Sequence, residues 1–151
     1  MTIIAVKNHI MAADSGTFSG SIVYRMADGH PKIVRAPDGS LVGAAGTSYD
    51  TYLLREWAKN GLNFADTPKI SDEKDEPLAW LWLRPDGTLW RGNSAFNICP
   101  SQPIYSIGYE GACQVAEGAM WAGATAPEAV QIAIDHCVYV AGPDQVERLV
   151  P

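Results

Sequence analysis

The stretch Thr2-Ile3-Ile4-Ala5-Val6-Lys7-Asn8-His9-Ile10-Met11-Ala12-Ala13-Asp14 opens the chain with two apolar runs separated by Asn8-His9. Thr2 to Lys7 is short and β-rich, Asn8-His9 suits a tight turn, and Ile10 to Ala13 resumes the apolar character, so the spacing predicts a β-hairpin. Working outward, Ser21 to Met26 alternates loosely, with Ile22 and Tyr24 set against Val23 and Arg25. Lys32 to Arg35 leads into Pro37-Asp38-Gly39, a turn signal ahead of the apolar strand Leu41 to Ala45. The opening third of the chain therefore reads as sheet.

The period then changes. From Tyr49 to Asn60 the apolar positions Tyr52, Leu53, Trp57 and Ala58 fall near helical spacing, with Asp50 as the expected N-cap and Gly61 placed for the C′ position. Phe64 to Pro77 holds Asp66, Asp72, Glu73, Asp75 and Glu76 with little periodicity and reads as a solvated acidic connection. Leu78 to Arg84 and Thr88 to Arg91 flank Pro85-Asp86-Gly87 and predict a second hairpin, whose Trp80, Trp82 and Trp90 suit packing rather than base stacking. The final third alternates: strand Tyr105 to Gly108, a helix from about Gly111 to Ala122, a helix from Thr125, then strands at Cys137 to Val140 and Gln145 to Val150. Thr125 with Glu128 forms a capping box, and Pro127 falls in the first turn, where its missing N–H does no harm. With no internal repeat and no linker, the whole chain, 1–151, reads as one α+β domain of two sheets packed with helices.

Composition excludes several classes of function. Among 151 residues, 11 Lys and Arg face 17 Asp and Glu, a net charge of −6 with no basic cluster, which argues against nucleic acid and against anionic membranes. No apolar run approaches the roughly 18 residues a membrane span needs, and Met1 to Ile10 lacks the basic-then-apolar layout of a signal peptide, so a cytoplasmic location is expected. Cys99, Cys113 and Cys137 are odd in number and lack zinc-ligand spacing, and the expectation is reduced thiols. His9, His30 and His136 show no metal-ligand spacing either, and neither a metal nor a cofactor is expected. A cysteine hydrolase built on His136 and Cys137 is disfavoured, because neighbours on a strand point to opposite faces.

The N-terminus carries the candidate chemistry. Methionine followed by a small residue is the situation in which the initiator is trimmed, and trimming would leave Thr2 with a free α-amino group. The reference pKa of such an amine is about 7.7, so a useful fraction is neutral near pH 7 and able to take the hydroxyl proton, directly or through water. Taken by itself, Thr2 reads simply as the first residue of a strand.

Four stretches together resemble the proteasome β-subunit and HslV-like family of N-terminal nucleophile hydrolases. Thr2-Ile3-Ile4-Ala5-Val6 is similar to the family's mature N-terminal strand, and Ile10-Met11-Ala12-Ala13-Asp14-Ser15 to the strand that ends in its Asp. Pro31-Lys32-Ile33-Val34-Arg35, followed by Leu41-Val42-Gly43-Ala44-Ala45-Gly46 and Asp50, resembles the Lys-bearing strand and the glycine turn that opens the first helix. Ser106-Ile107-Gly108, Ala129 to Ile134 and Asp135-His136-Cys137-Val138-Tyr139 resemble the C-terminal half, including an Asp-x-Cys-x-Tyr strand. Order and spacing make the combination more specific than any one part.

The resemblance implies a four-layer αββα sandwich and a threonine-type peptidase or amidase. Thr2 would supply the nucleophilic Oγ and, once Met1 is gone, the amine that accepts its proton. Lys32 would sit beside it, Asp14 would keep Lys32 charged and oriented, and the Gly46 N–H would donate into an oxyanion hole. The resemblance further implies a peptide or unfolded-protein substrate, a homo-oligomeric ring and an ATPase unfoldase as partner. The chain departs from the pattern in three places. Tyr109 of Ile107-Gly108-Tyr109-Glu110-Gly111 stands where the family has a serine; a gapless alignment sets Met1 on the nucleophile position; and the acidic stretch from Phe64 to Pro77 replaces the family's second helix. These departures motivate two alternatives: a catalytically inactive homologue serving as an oligomeric assembly or scaffold protein, including one associated with a phage, and a small-molecule amidase.

Overall fold

The computed structural model describes residues 1–19, 22–25, 31–71 and 75–150. In chain order its elements are β1 (Ile3–Lys7), β2 (Ile10–Ala13), β3 (Gly16–Ser19), β4 (Ile22–Arg25), β5 (Ile33–Arg35), β6 (Leu41–Ala45), α1 (Ser48–Lys59), β7 (Ala79–Leu83), β8 (Leu89–Asn93), β9 (Ile98–Pro100), β10 (Tyr105–Gly108), α2 (Glu110–Trp121), α3 (Ala126–His136) and β11 (Gln145–Arg148). The opening hairpin forms as its sequence predicts, pairing Ile4 with Ala13 and Lys7 with Ile10. Asn8 and His9 both adopt left-handed backbone, φ +50° and +64°. A two-residue turn of that hand matches the right-handed twist of the strands it joins.

Side-chain alternation along this hairpin builds the layers. Ile3, Ala5 and Ala12 face Ala112, Ala116 and Met120 of α2 and Ala129, Val130 and Ala133 of α3. Ile4, Val6, Met11 and Ala13 point the other way, onto Ile33, Leu41, Leu81 and Leu83 of a second sheet. The far face of that second sheet, through Val34, Val42, Ala44 and Trp80, packs on Leu54, Trp57 and Ala58 of α1. The first sheet runs β10-β1-β2-β11 and the second β5-β6-β7-β8-β9, all pairs antiparallel, with β3 and β4 forming a separate two-stranded ribbon. The result is helices, sheet, sheet, helix: the αββα sandwich expected from the resemblance. Because β1 is covered on both faces, Ile3 to Val6 is buried without a polar interruption, as a strand between two layers requires. The sheets approach closely at Gly43, where a Cβ would lie 2.9 Å from the Met11 sulfur and 3.0 Å from the Ile4 side chain.

Several local expectations need correction. Thr47, not Asp50, caps α1; its side chain accepts the Asp50 N–H, and Asp50 itself lies buried in the first turn. The buried side of α1 includes Thr51, Leu54, Arg55, Trp57 and Ala58, so of the expected apolar positions Trp57 and Ala58 are buried, whereas Tyr52 is exposed and Arg55 is buried in its stead. Cys137 to Val140 is not a strand. α3 continues to His136, Cys137 caps its end, and Val138 and Tyr139 form a turn. The strand-based objection to His136 with Cys137 therefore lapses, since the two close a helix instead. The ribbon strand β3 and the edge strand β9 are short and carry little sequence signal. Of the strand expected at Ser21 to Met26, Ile22–Arg25 forms, while Ser21 and Met26 lie outside the described residues. Residues 60–71 and 75–78 contain no helix, so the family's second helix is absent among the described residues of that connection. The capping box of α3 forms as expected, with Thr125 and Glu128 exchanging side-chain and backbone bonds.

Candidate active site

Asp14 ends β2 opposite Ile3, and the hairpin register alone brings its carboxylate to the start of β1. Its Oδ1 accepts the Ile3 N–H at 2.9 Å and the Lys32 ammonium at 2.7 Å. Its Oδ2 accepts the N–H groups of Gly16 at 3.3 Å and Ala141 at 3.2 Å. The side chain is 0% exposed, and these four donors account for its ability to remain there as an anion.

Lys32 enters from the residue before β5 and is 8% exposed. Its Nζ donates to Asp14 Oδ1, to the Gly16 carbonyl at 2.7 Å and to the Met1 carbonyl at 3.4 Å. Three donors meet three acceptors, which fixes the ammonium in place. Burial is the main influence on its pKa and lowers it, Asp14 opposes that effect, and the nearby Arg55 charge adds to it. The Met1 carbonyl belongs to the peptide bond that precedes Thr2, so the Lys32 charge stands directly against the bond whose removal would free the Thr2 nitrogen.

The Thr2 carbonyl accepts the Tyr109 N–H at 2.7 Å, one residue beyond the Ile3–Gly108 pair of β1 and β10. This closeness needs Gly108, with φ +124°, because a Cβ there would overlap the Thr2 carbonyl. Tyr109 also occupies the N-cap position of α2 without a side-chain capping bond, and its ring meets Tyr139 edge-on at 5.1 Å. Gly46, φ +151°, sits at the turn from β6 into α1.

Thr2, Lys32, Gly46 and Tyr109 all line one cavity of about 850 Å³ between the strand ends and the N-terminal half of α1. Asp14 lies behind Lys32 and does not line the cavity. Sequence-expected residues from five separate segments thus converge on one place. Burial also lowers the pKa of the Met1 α-amine below 8.0, with Lys32 contributing in the same sense and Asp14 and Glu76 opposing. Three participants lack a direct sequence signal: the Gly16 carbonyl, the Ala141 N–H and the Gly108 backbone act through main-chain atoms. Arg55, which lines the same cavity, has a signal, namely a charge on the apolar stripe of α1. Among the described residues, no cluster of three or more His, Cys, Asp or Glu side chains is disposed to hold a metal, and no helix is long and apolar enough to cross a membrane.

Two facing antiparallel sheets between helical layers, with the first strand's N-terminus at the mouth of a cavity, define the N-terminal nucleophile hydrolase fold. Solved structures with this fold agree along essentially the whole chain. BPH of Thiobacillus denitrificans superposes with a TM-score of 0.69 at 22% identity, covering 100% of both chains. The same protein in complex with epoxomicin gives 0.68 at 20% identity, again covering 100% of both. HslV from Trypanosoma brucei gives 0.69 at 19% identity, covering 97% of this chain and 98% of that one. No protein-family model and no curated protein sequence matches the chain. The likeness is one of fold, and it is to HslV-type folds that the sequence resemblance points.

Proposed function

We propose that the chain, read as one domain, is an N-terminal threonine hydrolase of the HslV type that cleaves peptide bonds once Met1 is removed. The observation that carries the reading is the buried Asp14–Lys32 pair, 2.7 Å apart, whose ammonium also meets the carbonyl of the Met1–Thr2 bond beside the cavity. In the free-amine form, the Thr2 nitrogen takes the proton of its own Oγ, directly or through water. Oγ attacks the substrate carbonyl, and the negative charge that develops on the carbonyl oxygen meets the Gly46 N–H. Loss of one such donor costs about 2.7–4 kcal/mol of barrier. The C–N bond then breaks, the leaving amine takes up the proton, and an ester remains on Thr2. Water adds to that ester, its proton passing through the Thr2 amine to the departing Oγ, which restores the hydroxyl and releases the acid. Lys32 disfavours a second positive charge on the amine beside it. Asp14 acts through Lys32 and is a positioning residue. Tyr109 holds the Thr2 carbonyl through its N–H and brings a phenol to the place where the family has a serine.

Partners follow from the same reading: a peptide or unfolded-protein substrate, further copies of the chain in a ring, and an ATPase unfoldase to deliver substrate in the cytoplasm. A small-molecule amide is the alternative substrate within the same chemistry, and substrate profiling separates the two.

A second reading, an inactive assembly or scaffold subunit, draws on Tyr109 and on the chemistry of the attached Met1. While that bond is intact the Thr2 nitrogen is an amide with no basic lone pair, and no proton acceptor of this kind exists. Peptide hydrolysis by protein with Thr2 at its N-terminus, abolished in Thr2→Ala, supports the first reading. Hydrolysis absent from that protein, or unchanged in Thr2→Ala, favours the second.

A further inference from the structure

Arg55 is a second buried cation in the same cavity, and it is built differently from Lys32. It lies on the buried stripe of α1, one turn beyond Thr51, and is 8% exposed. Among the described residues no carboxylate lies within 4.0 Å of its guanidinium and no hydrogen bond holds it. The neighbouring Glu56 is engaged instead with Lys59 at 2.8 Å. Buried polar nitrogens and oxygens sealed from all space without a partner are the Trp82 indole N–H and the Ser101 hydroxyl, not the Arg55 nitrogens. The Arg55 donors therefore look into the cavity that Thr2, Lys32 and Gly46 share.

Arginine keeps its charge at any accessible pH, and burial here works against it. A buried, unpaired fork of five N–H donors is unfavourable unless an anion entering the cavity meets it. The acidic residues on the cavity wall, Asp75, Glu76 and Glu110, are exposed at its mouth and leave the inner cation open. Thr47 and Ser48, at the N-terminus of α1, line the same space, where the helix dipole also favours negative charge.

We propose that the cavity selects a substrate carrying a carboxylate, a peptide with Glu or Asp flanking the reacting carbonyl, and that Arg55 grips this carboxylate through paired N–H donors. The inference rests on the threonine-hydrolase reading for the reaction, but the recognition stands on Arg55. Paired, charge-assisted bonds of this kind are the stronger class of hydrogen bond and match carboxylate geometry.

The test uses protein with Thr2 at its N-terminus and two fluorogenic peptides identical except for Glu or Gln before the scissile bond. A preference for the Glu peptide of about tenfold to a hundredfold in kcat/KM is expected, on the scale of one charge-assisted pair. That ratio should fall to near one in Arg55→Gln, with Arg55→Lys in between. Equal turnover of the two peptides by the unaltered protein, or a preference that survives Arg55→Gln, overturns the inference while leaving the threonine hydrolase intact. If neither peptide is cleaved, calorimetric binding of the same two peptides decides the matter. Tighter binding of the Glu peptide, lost in Arg55→Gln, supports the inference although the proposed reaction has failed; equal or undetectable binding overturns both.

Discussion

Lys32 and Arg55 are both cations, both 8% exposed, and both line one cavity, yet their surroundings are opposite. Lys32 sits at the strand ends with every N–H engaged, on Asp14, Gly16 and Met1. Arg55 sits on a helix face with no bond of its own among the described residues. A buried charge that is fully met serves geometry: it locks neighbouring backbone in place. A buried charge left unmet is available to something that arrives. On the proposed reading, the contrast separates a side of the cavity that would position the chemistry from a side that would read a ligand.

The largest effect should come from breaking the satisfied side. Asp14→Ala leaves Lys32 buried without its counter-ion and removes the acceptor for three backbone N–H groups, and a loss of about 3–5 kcal/mol in urea unfolding is expected. A loss under about 1 kcal/mol would mean the pair is not structural. Next, Gly108→Ala places a methyl against the Thr2 carbonyl at φ +124° and should destabilise by about 2–3 kcal/mol, read from the same unfolding midpoint.

Removing the unmet charge should act in the opposite direction. Arg55→Met keeps the aliphatic bulk and deletes an unpaired buried cation, so stability should hold or rise by about 1 kcal/mol. A loss exceeding 2 kcal/mol or so, on the scale of a lost hydrogen bond to charge, would show that Arg55 is held after all.

The smallest effect is electrostatic crosstalk. The folded-state pKa of Lys32 lies below its ordinary 10.5, chiefly through burial, with Arg55 contributing. In the window between that lowered value and 10.5 the unfolded chain binds more protons, so stability should rise with pH there. Deleting the Arg55 charge should move the Lys32 pKa up and narrow the window, measurable by NMR titration of the lysine or by unfolding midpoints across alkaline pH. An unchanged Lys32 titration in Arg55→Met would disconnect the two cations.

Much of this is legible in the sequence. The hairpin of Thr2 to Asp14 carries its own turn, and once it closes, register places Asp14 against the start of β1 without help from tertiary contacts. Lys32 and Gly46 are implied by the resemblance and Tyr109 stands out as a departure from it, and each lines the cavity. What the sequence conceals is main-chain or tertiary in origin. The Gly16 carbonyl and Ala141 N–H carry no residue-type signature, since any residue has those atoms. Tyr52 reads as helix core, but the sheet fixes the rotation of α1 so that Arg55 is buried and Tyr52 exposed. Cys137 to Val140 has strand-like composition, yet α3 runs on to His136 and leaves too short a segment to pair.

The proposed reaction needs a free Thr2 amine and hydroxyl acting together beside Lys32. Intact-mass and peptide-mapping measurements on untagged protein, before and after a threonine-directed electrophile, test it most directly. The expected result is a chain lighter by one methionine whose added mass maps to Thr2 and is absent in Thr2→Ala. A chain that keeps Met1 and takes up no adduct would contradict it.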